Sequence, residues 1–214
     1  METPDLKALR AELLQEQIRS ERLKADKSAL EYAEMWDKER DRLVRPGRRR
    51  HLNIDGPIGG LSVIAWLDAL NHWGSRDPGE PITITINSPG GDVMDGFALY
   101  DTILRLRRKG SYVTTHGQGM VASMAAVLMQ AGDERILDRN AFFMIHEISA
   151  LTGGRLSDIE EQAAFMKRLQ GKALDALAER STLSKAAIAR RWRKKDDWLA
   201  AEEALKLGFV DGVE

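Results

Sequence analysis

A strand pattern that runs straight into a glycine turn and a helix most constrains how this chain can fold. Ile82, Ile84 and Ile86 alternate with threonines, which predicts a strand with one buried face. The residues at 88–91, Ser-Pro-Gly-Gly, predict a turn, and a helical pattern follows. Alternation continues to the C-terminus, which predicts an α/β fold with largely parallel sheets. The predicted strands are 51–54, 82–86, 112–115, 136–137 and 142–145, and the predicted helices are 61–72, 93–108, 121–130, 156–180, 185–193 and 201–207.

The first part of the chain differs in composition and is rich in charged residues. Of the first 50 residues, 24 are Asp, Glu, Lys or Arg, and a thin apolar stripe recurs at helical spacing. Pro46 and Gly47 end this pattern, so we divide the chain into a charged helical extension over 1–46 and a main domain over 47–214. The extension is interpreted either as a solvated helix packing lightly on the body or as an oligomer or partner contact.

Composition excludes several classes of site and partner. The absence of cysteine excludes disulfides, thiolate–zinc sites and a cysteine nucleophile. A formal net charge of -1 gives no overall attraction to nucleic acid, and we interpret the arginines at 48–50 as a linker. The longest apolar stretch, 120–131, is too short to span a bilayer, and no secretory signal is recognised at the start. We therefore expect a cytoplasmic protein with no membrane or nucleic-acid partner.

Three segments contain residues that could carry chemistry. Gly90 and Gly91 form either a plain tight turn or a turn whose outward N–H groups bind an anion. Ser123 lies among small apolar residues at a helix start, where it is either reachable or bonded to a carbonyl one turn back. His146 closes an apolar strand at its carboxyl end, where ligands bind in parallel sheets. It is either structural or, beside an accessible serine, a general base.

The sequences INSPGGDVMDGFALYDTI, GQGMVASMAAVLMQAG, FFMIH and DDWLAAEEALKLGFVD, in this order, resemble the Clp protease proteolytic subunit (ClpP) family over roughly 51–214. The resemblance implies the ClpP/crotonase fold, with repeated ββα units, largely parallel sheets and a long handle helix over 156–180. It implies peptide-bond hydrolysis through an acyl-enzyme with no metal or organic cofactor. It also implies a homo-oligomer of stacked rings, heptameric in the family, that acts on peptides or unfolded proteins.

The resemblance also assigns roles to residues. Its nucleophile corresponds to Ser123 and its histidine to His146. Its aspartate corresponds to Asp196, although the adjacent Asp197 leaves the register open by one residue. The oxyanion donors correspond to the backbone N–H groups of Gly91 and Met124, and the strand that receives substrate corresponds to Gly90, Gly91, Asp92 and Val93.

The chain departs from the family pattern at three places. The charged extension replaces a short gating loop and helix. Thr83 and Thr85 stand where the family has aromatic residues that help form the pocket for an AAA+ Clp ATPase, so docking of such a partner is in question. The proline and glutamine that follow the family's histidine are absent here, which leaves the cleavage preference open.

The main hypothesis is a self-compartmentalised endopeptidase, with or without dependence on an ATPase, and three other functions are alternatives to it. One is a phage head-maturation protease acting on capsid or scaffold proteins in an infected cell. Another is a non-catalytic assembly scaffold, and a third is a crotonase-type acyl-CoA enzyme with the same fold. The apolar positions of the long helix bury either between rings or on the helix's own subunit; they are Ala163, Phe165, Met166, Leu169, Leu174 and Leu177.

Overall fold

The computed structural model of the protein describes residues 50–76, 78–150, 153–193 and 195–214. The predicted helical extension over 1–46 and the boundary behind it lie outside the described residues. The rest of the chain is a mixed α/β fold with a largely parallel sheet, as the sequence predicted.

The sheet of the described residues has seven strands. The parallel path runs in the order β1-β2-β3-β4-β7; β5 pairs in parallel with the end of β3, and β6 pairs antiparallel with β5. The strands are β1 His51–Asp55, β2 Ile82–Ser88, β3 Val113–Ala122, β4 Glu134–Leu137, β5 Phe142–Ile145, β6 Asp197–Ala200 and β7 Gly212–Val213.

Helices connect most of the strands, and their apolar sides cover one face of the sheet. Ile82, Ile84 and Ile86 point into this core and are at most 1% exposed, so the alternation in β2 was interpreted correctly. The helices of the described residues are α1 Gly60–Arg76, α2 Val93–Arg108, α3 Met124–Met129, α4 Leu156–Glu179, α5 Lys185–Arg191 and α6 Ala201–Lys206.

The opposite face of the sheet is polar along β1, β2 and β3. Thr83 and Thr85 lie on this face and are partly exposed. The Nε2 atom of His51 lies 2.6 Å from the Thr85 hydroxyl oxygen, and that of His116 lies 2.7 Å from Asp138 Oδ1. The threonines singled out in the sequence therefore belong to a hydrogen-bonded polar surface.

Strand β3 is longer than predicted, and this is the main correction to the element boundaries. The turn predicted at 117–119 lies inside it, and the helix predicted from residue 121 begins at Met124. Between the pairs Ile86–Gly117 and Ser88–Val121, β3 contains two residues more than β2. The resulting irregularity, with Gly119 at φ 57°, lets β3 pair first with β4 and then with β5.

The long helix α4 is buried only in its second half. Leu169 and Leu177 are 7% and 0% exposed against their own chain, which favours the second of the two interpretations for these positions. Before Leu169 no residue of the helix is buried within the described chain, and Leu156 and Phe165 are 72% and 42% exposed. The first half of α4 thus presents apolar side chains that its own subunit does not cover.

Candidate active site

Ser123 lies at a sharp bend between the end of β3 and the start of α3. Its backbone has φ 57° and ψ −122°, and it is the only non-glycine residue with positive φ among those the structure describes. Its N–H donates to the Met144 carbonyl at 2.9 Å, while its carbonyl accepts from Ala126 at 3.1 Å. Strained backbone of this kind persists only where surrounding contacts hold it, and it occurs often at functional sites.

His146 contacts Ser123 directly. Strands β3 and β5 pair in parallel, with Ala122 opposite Met144. The segments that follow the two strands therefore leave the sheet side by side. The Nε2 atom of His146 lies 2.6 Å from Ser123 Oγ. This is a hydrogen bond between a hydroxyl and an imidazole, the pairing that a general base needs to take a proton from a nucleophile.

The register between β5 and β6 brings Asp196 to the other side of the imidazole. Ile145 pairs with Asp197, so the next position along each strand places His146 across from Asp196. The Nδ1 atom of His146 lies 3.4 Å from Asp196 Oδ1, within ion-pair range. The structure thus brings Ser123, His146 and Asp196 together in that order.

Asp197 points away from the imidazole. Neighbouring side chains of a strand alternate between its two faces, and Asp197 is buried where Asp196 is half exposed. Its Oδ2 accepts a hydrogen bond from Nε of Arg191 at 2.6 Å. The ambiguity between the two aspartates therefore has a geometric answer, since only Asp196 faces His146.

The two glycines after β2 approach Ser123 closely. A Cβ on Gly90 would lie 2.6 Å from the Ser123 Cβ and 2.8 Å from the Met124 nitrogen. Gly91 forms a parallel bridge with Ile58 in which the N–H groups of Ile58 and Asp92 make the two hydrogen bonds, at 2.8 and 2.7 Å. That pattern turns the Gly91 N–H away from Ile58.

Met124 supplies the other N–H assigned to the anion site. It is the first residue of α3, so its N–H precedes the repeating hydrogen bonds of the helix. The N–H of Gly91 and that of Met124 are thus both available in the part of the chain that the structure describes. Donors of this kind can stabilise an oxyanion beside Ser123.

Asp92 and Val93 continue the segment predicted to receive substrate. The Asp92 carboxylate caps α2, accepting from the N–H groups of Met94 at 2.8 Å and Asp95 at 2.9 Å. Its side chain is thereby engaged in the helix, while Val93 contributes to the wall of a cavity beside Ser123.

This cavity has a volume of about 230 Å³ and opens next to Ser123 and His146. Its walls are mainly apolar and come from five parts of the chain: Gly91, Val93, Met124, Val127, Ile145, Ile148, Ser149, Ala173, Leu177 and Trp192. Sequence reasoning missed most of these residues because they are distant in the chain and read as ordinary core positions. Leu177 was predicted as an apolar position of the long helix, but its spacing gave no sign that a cavity borders it.

Among the described residues, no group of three or more His, Asp and Glu side chains is arranged to hold a metal ion. In the same part of the chain, every helix is too short or too polar to cross a membrane.

The fold and the site together define a class, the α/β proteins in which a serine hydroxyl, an imidazole and a carboxylate lie in contact at the end of a largely parallel sheet. The model of the Clp protease family matches residues 33–214. The chain belongs to the Clp protease family, which confirms the resemblance found in its sequence.

Named relatives agree with this assignment. The chain is 37% identical over 139 residues to the ATP-dependent Clp protease proteolytic subunit 2 of Tropheryma whipplei, covering 64% of this chain and 75% of that protein. It is 35% identical to the ATP-dependent Clp protease proteolytic subunit of Deinococcus radiodurans, covering 71% and 72%. It is 34% identical to the ATP-dependent Clp protease proteolytic subunit 1 of Chlamydia muridarum, covering 77% and 85%.

Proposed function

We propose that this protein is a serine endopeptidase that uses Ser123, His146 and Asp196 as its catalytic residues. The observation that carries the proposal is the 2.6 Å contact between Ser123 Oγ and His146 Nε2. The Asp196 carboxylate lies beside the other imidazole nitrogen of His146, and the N–H groups of Gly91 and Met124 lie close to Ser123. Membership of a family whose named relatives are proteolytic subunits supports the same reaction.

In the proposed reaction, Ser123 Oγ attacks the carbonyl carbon of a peptide bond while His146 Nε2 takes the hydroxyl proton. The N–H groups of Gly91 and Met124 donate hydrogen bonds to the oxyanion. His146 then gives its proton to the leaving amine, and an acyl-enzyme remains on Ser123. Water attacks the acyl-enzyme with His146 as base, which releases the carboxylic acid and restores the serine. Asp196 orients the imidazole and stabilises its protonated form.

The cavity beside Ser123 supports a preference for apolar side chains on the acyl side of the cleaved bond. Its volume of about 230 Å³ and its mainly apolar walls suit a side chain of the size of leucine, methionine or phenylalanine. Substrate would lie extended beside the segment that begins at Gly91, adding a strand to it.

The uncovered first half of α4 supports assembly into rings. Leu156 and Phe165 are exposed apolar side chains on a helix of 24 residues, and a second copy would bury them. We infer a homo-oligomer, with stacked heptameric rings as the specific expectation, in the cytoplasm. Native mass measurement of the full chain tests the number of subunits.

A peptidase that works without a Clp ATPase is favoured by one specific observation. Thr83 and Thr85 lie on the polar outer face of the sheet, and Thr85 is hydrogen-bonded to His51. Among the described residues, these two threonines do not provide the aromatic contact area that an anchoring loop would need. Head maturation in a phage is the biological role of this kind that we propose as second candidate. Stimulation of casein breakdown by a Clp ATPase with ATP would contradict it.

Cleavage of short fluorogenic peptides without nucleotide tests the main proposal. The wild type is expected to cleave peptides with leucine or methionine before the scissile bond, and Ser123→Ala is expected to lose activity by roughly 10⁴-fold or more. A folded, assembled wild type without cleavage, or a Ser123→Ala variant as active as wild type, would contradict it.

A further inference from the structure

Arg191 binds Asp197, the first residue of β6, which directly follows Asp196. Its Nε donates to Asp197 Oδ2 at 2.6 Å, and its terminal nitrogen lies 3.4 Å from Asp197 Oδ1. The Asp197 side chain is only 9% exposed. The hydrogen bond with Asp197 raises the pKa of Arg191 and is the largest cause of that shift. The pair is thus a close ion pair next to the proposed active site, with a buried carboxylate and a partly exposed guanidinium.

The same guanidinium joins three consecutive elements. Arg191 is the last residue of α5, Asp197 begins β6, and Glu203 in α6 lies 3.1 Å from the Arg191 terminal nitrogen. Trp192, the next residue in the chain, is 2% exposed and lines the cavity beside Ser123. Trp192 therefore fixes the end of α5 in the cavity wall, while Arg191 binds the following strand, β6.

Strand β6 is short, so the Arg191–Asp197 contact adds to a register that the buried Leu199 and the pairs with β5 also favour. It has four residues and, among the described strands, it pairs only with β5. A shift by one residue would turn every side chain of the strand to the other face. Asp196 would then leave His146, and a different side chain would take its place. The Arg191–Asp197 pair lies at the last registered position before Asp196, where it opposes this shift most directly.

We propose that Arg191 is a positioning residue that sets the register of β6 and thereby places the Asp196 carboxylate on His146. The inference rests on the proposed peptidase function and assigns Asp197 a different part from Asp196. Asp197 is the anchor of the strand, and Asp196 is the group that contacts the imidazole. Arg191 contacts neither the reacting atoms nor the cavity, so its effect on the reaction is indirect.

Two variants and one control test the proposal in the full assembled protein. Arg191→Met removes the contact but leaves the Asp197 carboxylate unpaired. The double variant Arg191→Met/Asp197→Asn removes the contact and one charge of each sign. The effect of the lost contact is therefore measured at unchanged net charge. Glu203→Gln is the control, because it touches the same guanidinium and leaves the contact with Asp197 in place.

We expect the double variant to lose about 10- to 100-fold in kcat/KM, since displacement of a catalytic group by about 1 Å costs on that order. KM should change less than kcat. Glu203→Gln should stay within about twofold of wild type. Thermal unfolding and native mass verify that each variant is folded and assembled.

Wild-type kcat in a folded double variant, or a loss that falls on KM rather than on kcat, would overturn the proposal, and so would an equal loss in Glu203→Gln. Failure of the wild type to cleave peptides would instead contradict the proposed function. In that case, crystal structures of the wild type and of Arg191→Met test the positioning role without reference to activity. An Asp196–His146 contact that persists in Arg191→Met overturns it, and a shifted β6 supports it.

Discussion

His146 and Asp196 face each other one residue beyond the last registered pair of two antiparallel strands, Ile145 with Asp197. The 3.4 Å between His146 Nδ1 and Asp196 Oδ1 is therefore a consequence of strand register as well as of side-chain conformation. Because side chains alternate along a strand, the neighbouring Asp197 must face the other way. This relationship separates two adjacent aspartates into two physical roles.

Exchange of each aspartate for asparagine is expected to affect different properties. Asp196→Asn should lower kcat by about 10²- to 10⁴-fold with little loss of stability, because the half-exposed carboxylate acts on the imidazole. Asp197→Asn should lower the free energy of unfolding, by roughly 1 to 3 kcal/mol, because Arg191 loses one of its two charged partners. Its effect on kcat should be smaller than that of Asp196→Asn, because it acts only through the position of β6. Peptide-cleavage kinetics and denaturant unfolding measure the two effects. Equal effects of both changes on kcat would contradict the division.

A methyl group on Gly90 is expected to disrupt the site. Its Cβ would lie 2.6 Å from the Ser123 Cβ and 2.7 Å from the Ala122 carbonyl oxygen, and the φ of 91° disfavours any other residue. We expect Gly90→Ala to reduce kcat/KM by about 100-fold or more, since the donors beside Ser123 would move. Gly153→Ala, where a Cβ meets nothing within 4 Å, is the matched control and should keep wild-type rates. An active Gly90→Ala protein would show that the turn is not tightly constrained.

Filling the cavity is expected to change cleavage preference. Ala173 lines the cavity and is 4% exposed, so a leucine there would occupy part of the 230 Å³. Ala173→Leu should disfavour peptides with phenylalanine before the cleaved bond relative to alanine, by about 10-fold or more in kcat/KM. Competition between two such peptides measures the ratio directly. An unchanged ratio in a folded variant would show that this cavity does not receive that side chain.

Asp211 is expected to stabilise the fold in a pH-dependent way. Burial raises the pKa of its carboxyl, but the hydrogen bonds and charges of Arg135 and Arg180 outweigh burial and leave the pKa below its ordinary value. Arg135 is 2% exposed and lies 2.6 Å from Asp211 Oδ1. The carboxylate therefore adds stability above its unfolded pKa of about 3.9. That stability disappears as pH falls through the lower folded value.

Asp211→Asn should accordingly cost about 2 to 4 kcal/mol at pH 7, because it leaves Arg135 buried without its charged partner. The cost should shrink when unfolding is measured below about pH 3, where the wild-type carboxylate is also losing its charge. Urea unfolding at pH 7, pH 4 and about pH 2.5 follows this change. A cost that is the same at every pH would contradict the role of the charge.

Local patterns predicted the fold well where a side-chain period was clear. The alternation at Ile82, Ile84 and Ile86 and the helix Val93–Arg108 were found from sequence because burial and capping are local properties. Strand β6 was missed. Its four residues, Asp-Trp-Leu-Ala, have no distinctive pattern, and only pairing with β5 makes them a strand.

The candidate site was predictable only in part, for a similar reason. Ser123, His146 and Asp196 were named from motifs, but the choice between Asp196 and Asp197 depended on a long-range register. The contact between Arg191 and Asp197 and the backbone strain at Ser123 were not predictable either. The strain at Ser123 arises from packing of segments that are distant in the sequence. The Arg191–Asp197 contact is local, but it forms where β6 pairs with β5, which neither spacing nor composition records.

Labelling with a fluorophosphonate, followed by peptide mass mapping, tests the central claim most directly. The account predicts one modified residue, Ser123, in the folded wild type, with labelling lost in Ser123→Ala and strongly slowed in His146→Ala. Labelling at another serine, or an assembled wild type that remains unmodified, would contradict the claim that Ser123 is a nucleophile activated by His146.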